Sequence, residues 1–424
     1  MSFPAVPALT QAVWGRRVLF ALLYFAQGGP IGLVWWYLPT RLRAEGVGVE
    51  LIALITATLL FPWIFKFLWA PMVDTLRGPR FGYRSWIVTM QLLMGLVLLP
   101  LAFGEVRAWT ALAYALLLGH TLFAATQDVA IDAFALHVTP RHERGGVTGF
   151  MQAGNMTGRW LFGAGLLLVA DRISPGLVVP VLVGVIWLTT LAVLLAGPGS
   201  ATRAGDSAEP GGGFLAGLKA VLSRRVTWLG LLFAAVGGAG YEGITALAGP
   251  YLIDRGSSVS LNGVFFTISI PLLLVGGLIA GFLADRVGKR RFVKGALLAI
   301  FLCVTALAIY DVLTAQALPV TFALLGGVYL AAGAFIAASY AVFMDITDER
   351  LGGTQFSAYM GATNLCESWA TLAVGFGAAA MGYGGTFFLL ASLGLLAWPV
   401  VTRLTPQETP LRGAALTPVT ETAA

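Results

Sequence analysis

The chain has 424 residues, of which 58% are hydrophobic and only 11% are charged. A soluble protein cannot bury that much apolar surface, so the composition excludes that class and predicts a polytopic membrane protein. The net charge of +6 does not indicate nucleic-acid binding, because the basic residues lie in loops between apolar runs. Cys303 and Cys366 lie inside apolar runs, so no disulfide framework is predicted.

Twelve apolar runs have about 20 residues each, the length at which an α-helix crosses a bilayer. The predicted spans, in chain order, are 18–39, 51–72, 85–104, 109–135, 147–170, 176–197, 226–252, 261–284, 292–314, 319–344, 354–379 and 383–403. We therefore predict an all-α membrane protein with twelve transmembrane helices. Its predicted parts are an N-terminal six-helix half (1–198), a cytoplasmic linker (199–225), a C-terminal six-helix half (226–404) and a disordered tail (405–424).

Basic residues concentrate in alternate loops between the predicted spans. Because cytoplasmic loops are enriched in Lys and Arg, this pattern predicts that both termini are cytoplasmic. The two halves also resemble each other at a shift of 211 residues. Gly29, Gly32, Pro39 and Asp74 recur as Gly240, Gly243, Pro250 and Asp285. A parallel repeat of two six-helix halves is typical of the major facilitator layout.

Ionisable residues within the fourth and fifth spans are the first functional candidates. Asp128 and Asp132 are four residues apart and therefore share one side of a helix. Asp128 and Arg159 each lie roughly 20 Å from the loop that joins their spans, at about 1.5 Å per residue. Buried charges at this depth are expensive and mark functional sites. Two roles stay open: an Asp128–Arg159 pair that opens and closes with proton binding, or Arg159 holding a substrate carboxylate.

Other polar side chains at membrane depth complete a predicted pathway for substrate and protons. They are Gln27, Gln127, Gln152, Asn155, Tyr241, Glu242, Asn364 and Glu367. For each carboxylate the alternative is a structural pair, or a protonated group that is hydrogen-bonded between helices. For Asp132, which lies nearer the cytoplasmic end, a packing or gating role is favoured over direct binding.

The segment GFLADRVGKRR (281–291) resembles the signature loop of the major facilitator superfamily. Its aspartate can meet a helix N-terminus or an arginine and so latch the cytoplasmic side. The alternative is an ordinary positively charged cytoplasmic loop. The predicted cytoplasmic gate comprises Asp74, Arg84, Gly281, Asp285, Arg286, Gly288, Lys289 and Arg290.

Four further segments, KFLWAPMVD (66–74), QDVAIDA (127–133), ERG (143–145) and TQF (354–356), strengthen the resemblance. Together they resemble the peptide/acetyl-coenzyme A/drug transporter family, and within it the AmpG-like muropeptide permeases and related siderophore permeases. The resemblance implies a central cavity lined by Gln27, Asp128, Arg159 and Glu242. It also implies proton-coupled uptake of anhydro-muramyl saccharides and peptides by alternating access across a bacterial inner membrane.

Siderophore uptake is the main alternative function, followed by multidrug efflux and a transport-incompetent receptor. The sequence contains no phosphate-binding Gly-x4-Gly-Lys-Ser/Thr loop, so no nucleotide-driven engine is predicted. An aspartyl protease using Asp128 and Asp132 is disfavoured, because two aspartates on one helix are poorly placed to hold a water between them. We expect no enzyme activity, cofactor, metal or nucleic-acid partner, and a monomer that binds a small solute, protons and the lipid bilayer.

Overall fold

In the computed structural model the described residues are 9–76, 81–103, 111–195, 222–313, 317–347 and 352–404. Within these ranges the chain forms helices and turns and no strand, which confirms the predicted all-α class. Most of the predicted linker (199–225) and the predicted disordered tail (405–424) lie outside the described residues.

The N-terminal half, as the structure has it, comprises residues 9–195. Its helices are α1 (Val13–Gly32), α2 (Leu38–Ala44), α3 (Val49–Thr58), α4 (Phe61–Phe65), α5 (Ala70–Thr75), α6 (Tyr83–Phe103), α7 (Ala111–Val138), α8 (Arg144–Trp160), α9 (Leu166–Leu168) and α10 (Val178–Leu195). Two π-helical turns, Leu33–Tyr37 and Leu161–Gly165, join α1 to α2 and α8 to α9 without a change of direction. Short 3₁₀ turns occupy Lys66–Leu68, Arg141–Glu143 and Pro175–Leu177.

The C-terminal half comprises the described residues from 222 to 404. Its helices are α11 (Arg225–Gly237), α12 (Glu242–Ala246), α13 (Ala248–Asp254), α14 (Val259–Val287), α15 (Lys289–Val312), α16 (Leu318–Ile346), α17 (Gly352–Leu395) and α18 (Ala397–Arg403). Gly382 divides α17 into two helices, because its φ of 79° is not helical. The predicted boundary between the last two spans, near residue 380, coincides with this break.

Seven helical stretches in the described residues are long and apolar enough to cross a membrane. The longest, Gln355–Arg403, contains the break at Gly382 and so can supply two crossings. The 28-residue helix α7 also exceeds the length of a span, although polar residues near its end lower its apolarity. Val178–Leu194 and Arg225–Gly237 are shorter apolar helices. A total of twelve spans and the cytoplasmic position of both termini stay predictions.

Two predicted spans are interrupted. The second, 51–72, ends its α-helical part at Phe65 and continues as a 3₁₀ turn over Lys66–Leu68. The seventh, 226–252, breaks at residues 238–241. Gly237 is the last residue of the helix before the break, and Gly238 and Gly240 lie within the break. Glycine weakens a helix because it adds no side-chain contacts and has a large conformational entropy. The break places Tyr241 and Glu242 where the chain changes course inside the bundle.

Helices α1 and α8 pack backbone to backbone. A side chain at Gly28 would collide with the carbonyl oxygen of Asn155, and one at Gly158 with that of Phe25. Small residues four apart on two facing helices permit this close approach, as in the GxxxG contacts of membrane helices. The same contact continues to Gly32, which lies against the backbone of Arg159. Glycine packing therefore fixes the position of the Arg159 backbone.

The two halves contact each other along α3 and α17, where Ser368 donates to the Ala57 carbonyl oxygen at 3.0 Å, and also at the end of the bundle remote from the N-terminus of α1. There Arg43 donates to Asp254 at 2.6 Å, and the Tyr383 hydroxyl donates to the same carboxylate at 2.8 Å. Arg43 and Asp254 are 211 residues apart, the shift at which the two halves resemble each other. Trp160 also donates across the interface to Thr267 at 3.1 Å. These contacts close the bundle at this end, above the cavity that the halves enclose.

Candidate functional site: the central cavity

A cavity of about 330 Å³ lies between the two halves. The N-terminal half contributes three tryptophans to its wall, Trp35, Trp36 and Trp63. Trp35 and Trp63 pack edge to face with ring centroids 5.7 Å apart. The C-terminal half contributes Tyr329 and Tyr340, among other side chains of α16. The volume falls at the lower end of the range for small-molecule sites, and the aromatic lining is typical of them.

Arg159 is the cation of the cavity. It lies in the last turn of α8, directly before the π-helical turn that follows. Its guanidinium carbon is 5.9 Å from the centroid of the Trp36 ring, a cation–π distance. Its Nε is buried without a hydrogen-bond partner among the described residues. Arg159 as a whole is half-buried, and a guanidinium inside the bundle with an unpartnered N–H and no ion pair among the described residues is a candidate anion-binding group.

The carboxyl groups of the cavity come from the C-terminal half. Glu242 follows the break in the seventh predicted span, and the Tyr241 hydroxyl donates to its Oε1 at 2.6 Å. Glu367 and Asn364 lie on α17 and line the same space. Glu367 interacts electrostatically with Glu242 and with Arg159. The structure thus brings together five predicted site residues: Arg159, Tyr241, Glu242, Asn364 and Glu367.

Three polar atoms on the cavity wall are buried and lack a hydrogen-bond partner in the described part of the chain. They are Nε1 of Trp35, Nε of Arg159 and Oγ of Ser339. Trp35 is 8% exposed and Ser339 is 3% exposed. Buried polar groups in native proteins are nearly always hydrogen-bonded, and each exception needs an explanation. Two N–H donors and a hydroxyl around an aromatic cavity can hydrogen-bond to water or to a polar ligand that supplies acceptors.

A second group of buried charges, here called the paired cluster, lies within the N-terminal half. It consists of Tyr24, Gln27, Lys66, Asp128 and Asp132. Lys66 Nζ is 2.6 Å from Asp128 Oδ2, and Gln27 donates to Asp128 Oδ1 at 2.9 Å. The Tyr24 hydroxyl donates to Asp132. Every charged group of this cluster thus has a partner, and the contacts join α1, α7 and the turn that follows α4.

The Asp128–Arg159 pair, predicted to open and close with proton binding, is not formed in this structure, where Asp128 contacts Lys66 and Gln27. The structure also corrects the prediction that Gln27 and Asp128 line the cavity with Arg159 and Glu242. Neither is among its lining residues in the described part of the chain. Counting residues from a loop gives depth in the membrane but not the direction in which a side chain points. Asp128 faces helix α1, whereas Arg159 faces the opposite half of the protein.

The other predicted pathway residues also lie outside the cavity. Gln127 is fully buried, and neither polar atom of its side chain has a partner among the described residues. Asn155 is 8% exposed and lies in the contact between α1 and α8. Gln152, also on α8, is exposed. Of the predicted glutamine and asparagine residues, only Asn364 is a cavity residue.

The predicted cytoplasmic gate is only partly described. The side chain of Asp74 lies outside the described residues. Asp285 is exposed, and Gly288 has a φ of 89°, which allows α15 to begin immediately after α14. An ion pair of 2.7 Å between Lys289 and Asp345 joins this loop to the end of α16. Arg84 donates to the carbonyl oxygens of Val193 and Leu194 at the end of α10.

A latch made by Asp285 therefore stays a prediction. The loop also borders a surface recess of about 620 Å³, which is lined by the remaining predicted gate residues Arg286 and Arg290. Gly281 has open space around it, so a side chain there would meet no neighbour within 4 Å. Among the described residues this glycine therefore does not mark a close approach of two helices.

Several residues of both regions were not predicted. Lys66 lies near the end of the second predicted span and is not among the predicted site residues, but it forms the ion pair of the paired cluster. The wall residues Trp63, Tyr329, Ser339 and Tyr340 were missed as well. A usable signal existed for α16, since Tyr329, Tyr340 and their neighbours at positions 332, 336 and 343 share one helical face. No comparable pattern indicated Trp63.

No group of three or more His, Cys, Asp or Glu side chains in the described ranges could hold a metal ion. The fold and cavity instead define a membrane transporter: two helical halves, apolar surfaces long enough to span a bilayer, and a polar cavity between the halves. The chain belongs to the Major Facilitator Superfamily, whose family model matches residues 19–370. It is a transporter and not an enzyme.

Curated relatives agree with this family. The chain is 24% identical over 294 residues to the anhydromuropeptide permease of Escherichia coli (strain K12). That alignment covers 65% of this chain and 57% of the permease, so the chain spans just over half the length of that relative. It is also 32% identical over 173 residues to an uncharacterized protein of Haemophilus influenzae, with 40% of each chain covered.

Solved structures show the same fold at low sequence identity. A crystal structure of a D-xylose-proton symporter matches with a TM-score of 0.72 and 12% identity, covering 92% of this chain and 97% of that one. The nucleoside transporter NupG matches with a TM-score of 0.71 and 13% identity, covering 92% and 99%. At this identity the likeness establishes the fold alone.

Proposed function

We propose that the protein imports anhydromuropeptides, that is, anhydro-muramyl saccharides with or without attached peptide, across a bacterial inner membrane by proton-coupled alternating access. The observation that carries the proposal is the unsatisfied polar lining of an aromatic cavity. Arg159 offers a guanidinium without a carboxylate contact, and Trp35 and Ser339 offer unpartnered polar atoms. The similarity to the Escherichia coli permease supports the same substrate class.

The chemistry of the lining suits this ligand. A muramyl unit carries a carboxylate, and a planar guanidinium pairs with a carboxylate through two parallel hydrogen bonds. Sugar rings present apolar C–H faces that pack on aromatic rings, and Trp35, Trp36 and Trp63 supply such rings. Sugar hydroxyl groups accept and donate hydrogen bonds, so they can satisfy Trp35 Nε1 and Ser339 Oγ.

In this proposal the twelve predicted helices place both termini in the cytoplasm, and the protein acts as a monomer. The end that carries Arg43 and Asp254 then faces outward, and the contact between them closes the cavity to the outside. In this proposal the structure is a state that is closed to the outside. Substrate entry requires that the Arg43–Asp254 and Trp160–Thr267 contacts open while the halves rock about the cavity.

The test is uptake of radiolabelled N-acetylglucosaminyl-anhydro-N-acetylmuramic acid into sealed proteoliposomes, with and without an inward proton gradient. We expect accumulation that depends on the gradient and that a protonophore abolishes. Arg159→Gln liposomes provide the matched control, and they should accumulate no more label than empty liposomes. Absence of uptake by wild-type protein shown to be folded and correctly oriented would contradict the muropeptide assignment and make siderophores the next substrates to test.

A further inference from the structure

The ionisable groups of the central cavity do not balance in charge. One guanidinium, that of Arg159, faces two carboxyl groups, those of Glu242 and Glu367. Arg159 interacts electrostatically with Glu367, and Glu367 interacts with Glu242. The other titratable groups that face these three are Tyr241, Tyr329, Tyr340 and Cys366. Tyrosine and cysteine are neutral at physiological pH, so the imbalance rests on the first three groups.

We infer that Arg159 and Glu367 link substrate and proton binding: a substrate carboxylate that occupies Arg159 causes Glu367 to bind one proton. This inference rests on the proposed function, since it assumes an anionic substrate in the central cavity. Its basis is geometric. Arg159 has no carboxylate within ion-pair distance among the described residues, yet Glu367 shares the cavity with it and interacts with it electrostatically.

The charge balance gives the order of events. In the empty cavity Arg159 compensates an ionised Glu367, while Glu242 keeps a proton and the hydrogen bond from Tyr241. A substrate carboxylate on Arg159 takes over that compensation. Glu367 is then an anion inside the bundle without a compensating charge, which is costly. A proton from the water binds one Glu367 oxygen, a single O–H bond forms, and the loaded cavity is neutral again.

In this arrangement the substrate carboxylate, and not the sugar, causes Glu367 to bind the proton. A neutral analogue of the same size leaves the contact between Arg159 and Glu367 unchanged and takes up no proton. The paired cluster has no part in the linkage, because none of its residues lines the cavity in the described part of the chain and Lys66 already lies 2.6 Å from Asp128. The transported proton is therefore assigned to the C-terminal half and not to Asp128.

The first experiment needs no substrate. Infrared difference spectra of the purified protein are recorded over a pH titration, and the carboxylic C=O band lost in Glu367→Gln is assigned to Glu367. In Arg159→Gln, which removes the compensating charge as substrate does, we expect this band to persist to higher pH than in wild type. An unchanged titration of the band in Arg159→Gln would overturn the linkage whatever the substrate is.

The second experiment measures proton uptake when ligand binds, using a pH indicator in weakly buffered solution. The probes are N-acetylglucosaminyl-anhydro-N-acetylmuramic acid and its carboxamide. For wild type we expect about one proton per bound acid, none with the carboxamide, and a Kd for the acid that rises about tenfold per pH unit above the range where Glu367 is protonated. Glu367→Gln should bind the acid without proton uptake, and the matched variant Glu242→Gln should keep the uptake.

The outcomes separate the linkage from the proposed function. If neither probe binds folded wild-type protein, the muropeptide assignment fails and the infrared titration alone decides the linkage. If the acid binds with equal proton uptake in wild type and Glu367→Gln, the assignment survives and the linkage is wrong. Equal proton uptake with the acid and the carboxamide would also contradict it.

Discussion

The paired cluster and the central cavity each contain one basic and two acidic side chains, but the two regions differ in whether these side chains contact partners. In the paired cluster Lys66 contacts Asp128 at 2.6 Å, and Gln27 and Tyr24 donate to the two carboxylates. Within the described ranges Arg159 of the cavity has no ion pair with a carboxylate, and three buried polar atoms of the wall lack hydrogen-bond partners. The first region has satisfied its charges within one half of the protein, and the second has not.

This difference separates stability from function. A buried ion pair whose hydrogen bonds are all made has no donor or acceptor left for a ligand. Removing one partner leaves the other charge buried and unpaired. An unsatisfied group lowers the stability of the empty protein but binds tightly to a ligand that completes it. We therefore assign the paired cluster to holding α1, α7 and the turn after α4 together, and the cavity to binding substrate. The following predictions test that division.

The largest effect is expected on stability in the paired cluster. Lys66→Met leaves Asp128 buried without its cation and should lower the free energy of unfolding by about 3–5 kcal/mol. Replacing both partners, Lys66→Met with Asp128→Leu, removes both charges and should restore most of that loss. Thermal unfolding in detergent gives the comparison. A folded double variant that no longer accumulates substrate would show that the cluster also serves transport.

The next largest effect is expected on transport in the central cavity, without a loss of stability. Arg159→Gln removes a charged hydrogen-bonding partner of the substrate, which we expect to lower kcat/KM for uptake at least 100-fold, or about 2.7 kcal/mol. Its Tm should equal or exceed that of wild type, because a charge without an ion-pair contact is removed from the bundle and Glu367 can bind a proton in its place. Uptake assays and thermal unfolding are run on the same preparations. A large fall in Tm would assign Arg159 a structural role instead.

A moderate effect is expected where packing positions the cavity arginine. Gly158→Ala would place a methyl group against the Phe25 carbonyl and push α8 from α1, which should cost about 1–3 kcal/mol and displace Arg159. Gly149→Ala is the matched control on the same helix, since its added methyl group meets no atom within 4 Å. We expect normal Tm and uptake for this control. Similar losses in both variants would refute the close-packing argument.

The smallest effect is expected at the outer contact between the halves. The side chains of Arg43 and Asp254 are 26% and 20% exposed, so solvent weakens their attraction, and Arg43→Gln should change stability by less than about 1 kcal/mol. It should instead raise the population of states open on that side by a few-fold. Labelling of a cysteine placed at Thr40 by a membrane-impermeant reagent reports this change, with Arg41→Gln as control. Equal labelling rates would exclude a gate role for the pair.

The sequence predicted the helices well, because long apolar runs have few other solutions in a membrane protein. It also predicted five of the cavity residues, among them Arg159 and Glu367, because an ionisable residue within an apolar run has few explanations besides function or pairing. The break at Gly382 coincided with a predicted boundary. All of these inferences depend on position along a helix.

The errors concern rotation about a helix and interruptions within it. Asp128 and Arg159 were predicted to pair from their similar depth, but depth does not fix which face of a helix a residue occupies. Lys66 lies near the end of the second predicted span, a position that does not indicate a partner on another helix. The helix ends at Phe65, and the following 3₁₀ turn allows the Lys66 side chain to reach Asp128. Neither feature follows from local composition.

The central claim, that Arg159 binds the substrate carboxylate, is tested most directly by comparing the binding of two ligands to two proteins. The affinities of N-acetylglucosaminyl-anhydro-N-acetylmuramic acid and of its carboxamide are measured for wild type and for Arg159→Gln by isothermal titration calorimetry. If Arg159 holds the substrate carboxylate, wild type should bind the acid about 100-fold more tightly than the carboxamide, and Arg159→Gln should bind the two alike. The same preference for the acid in both proteins would contradict the account.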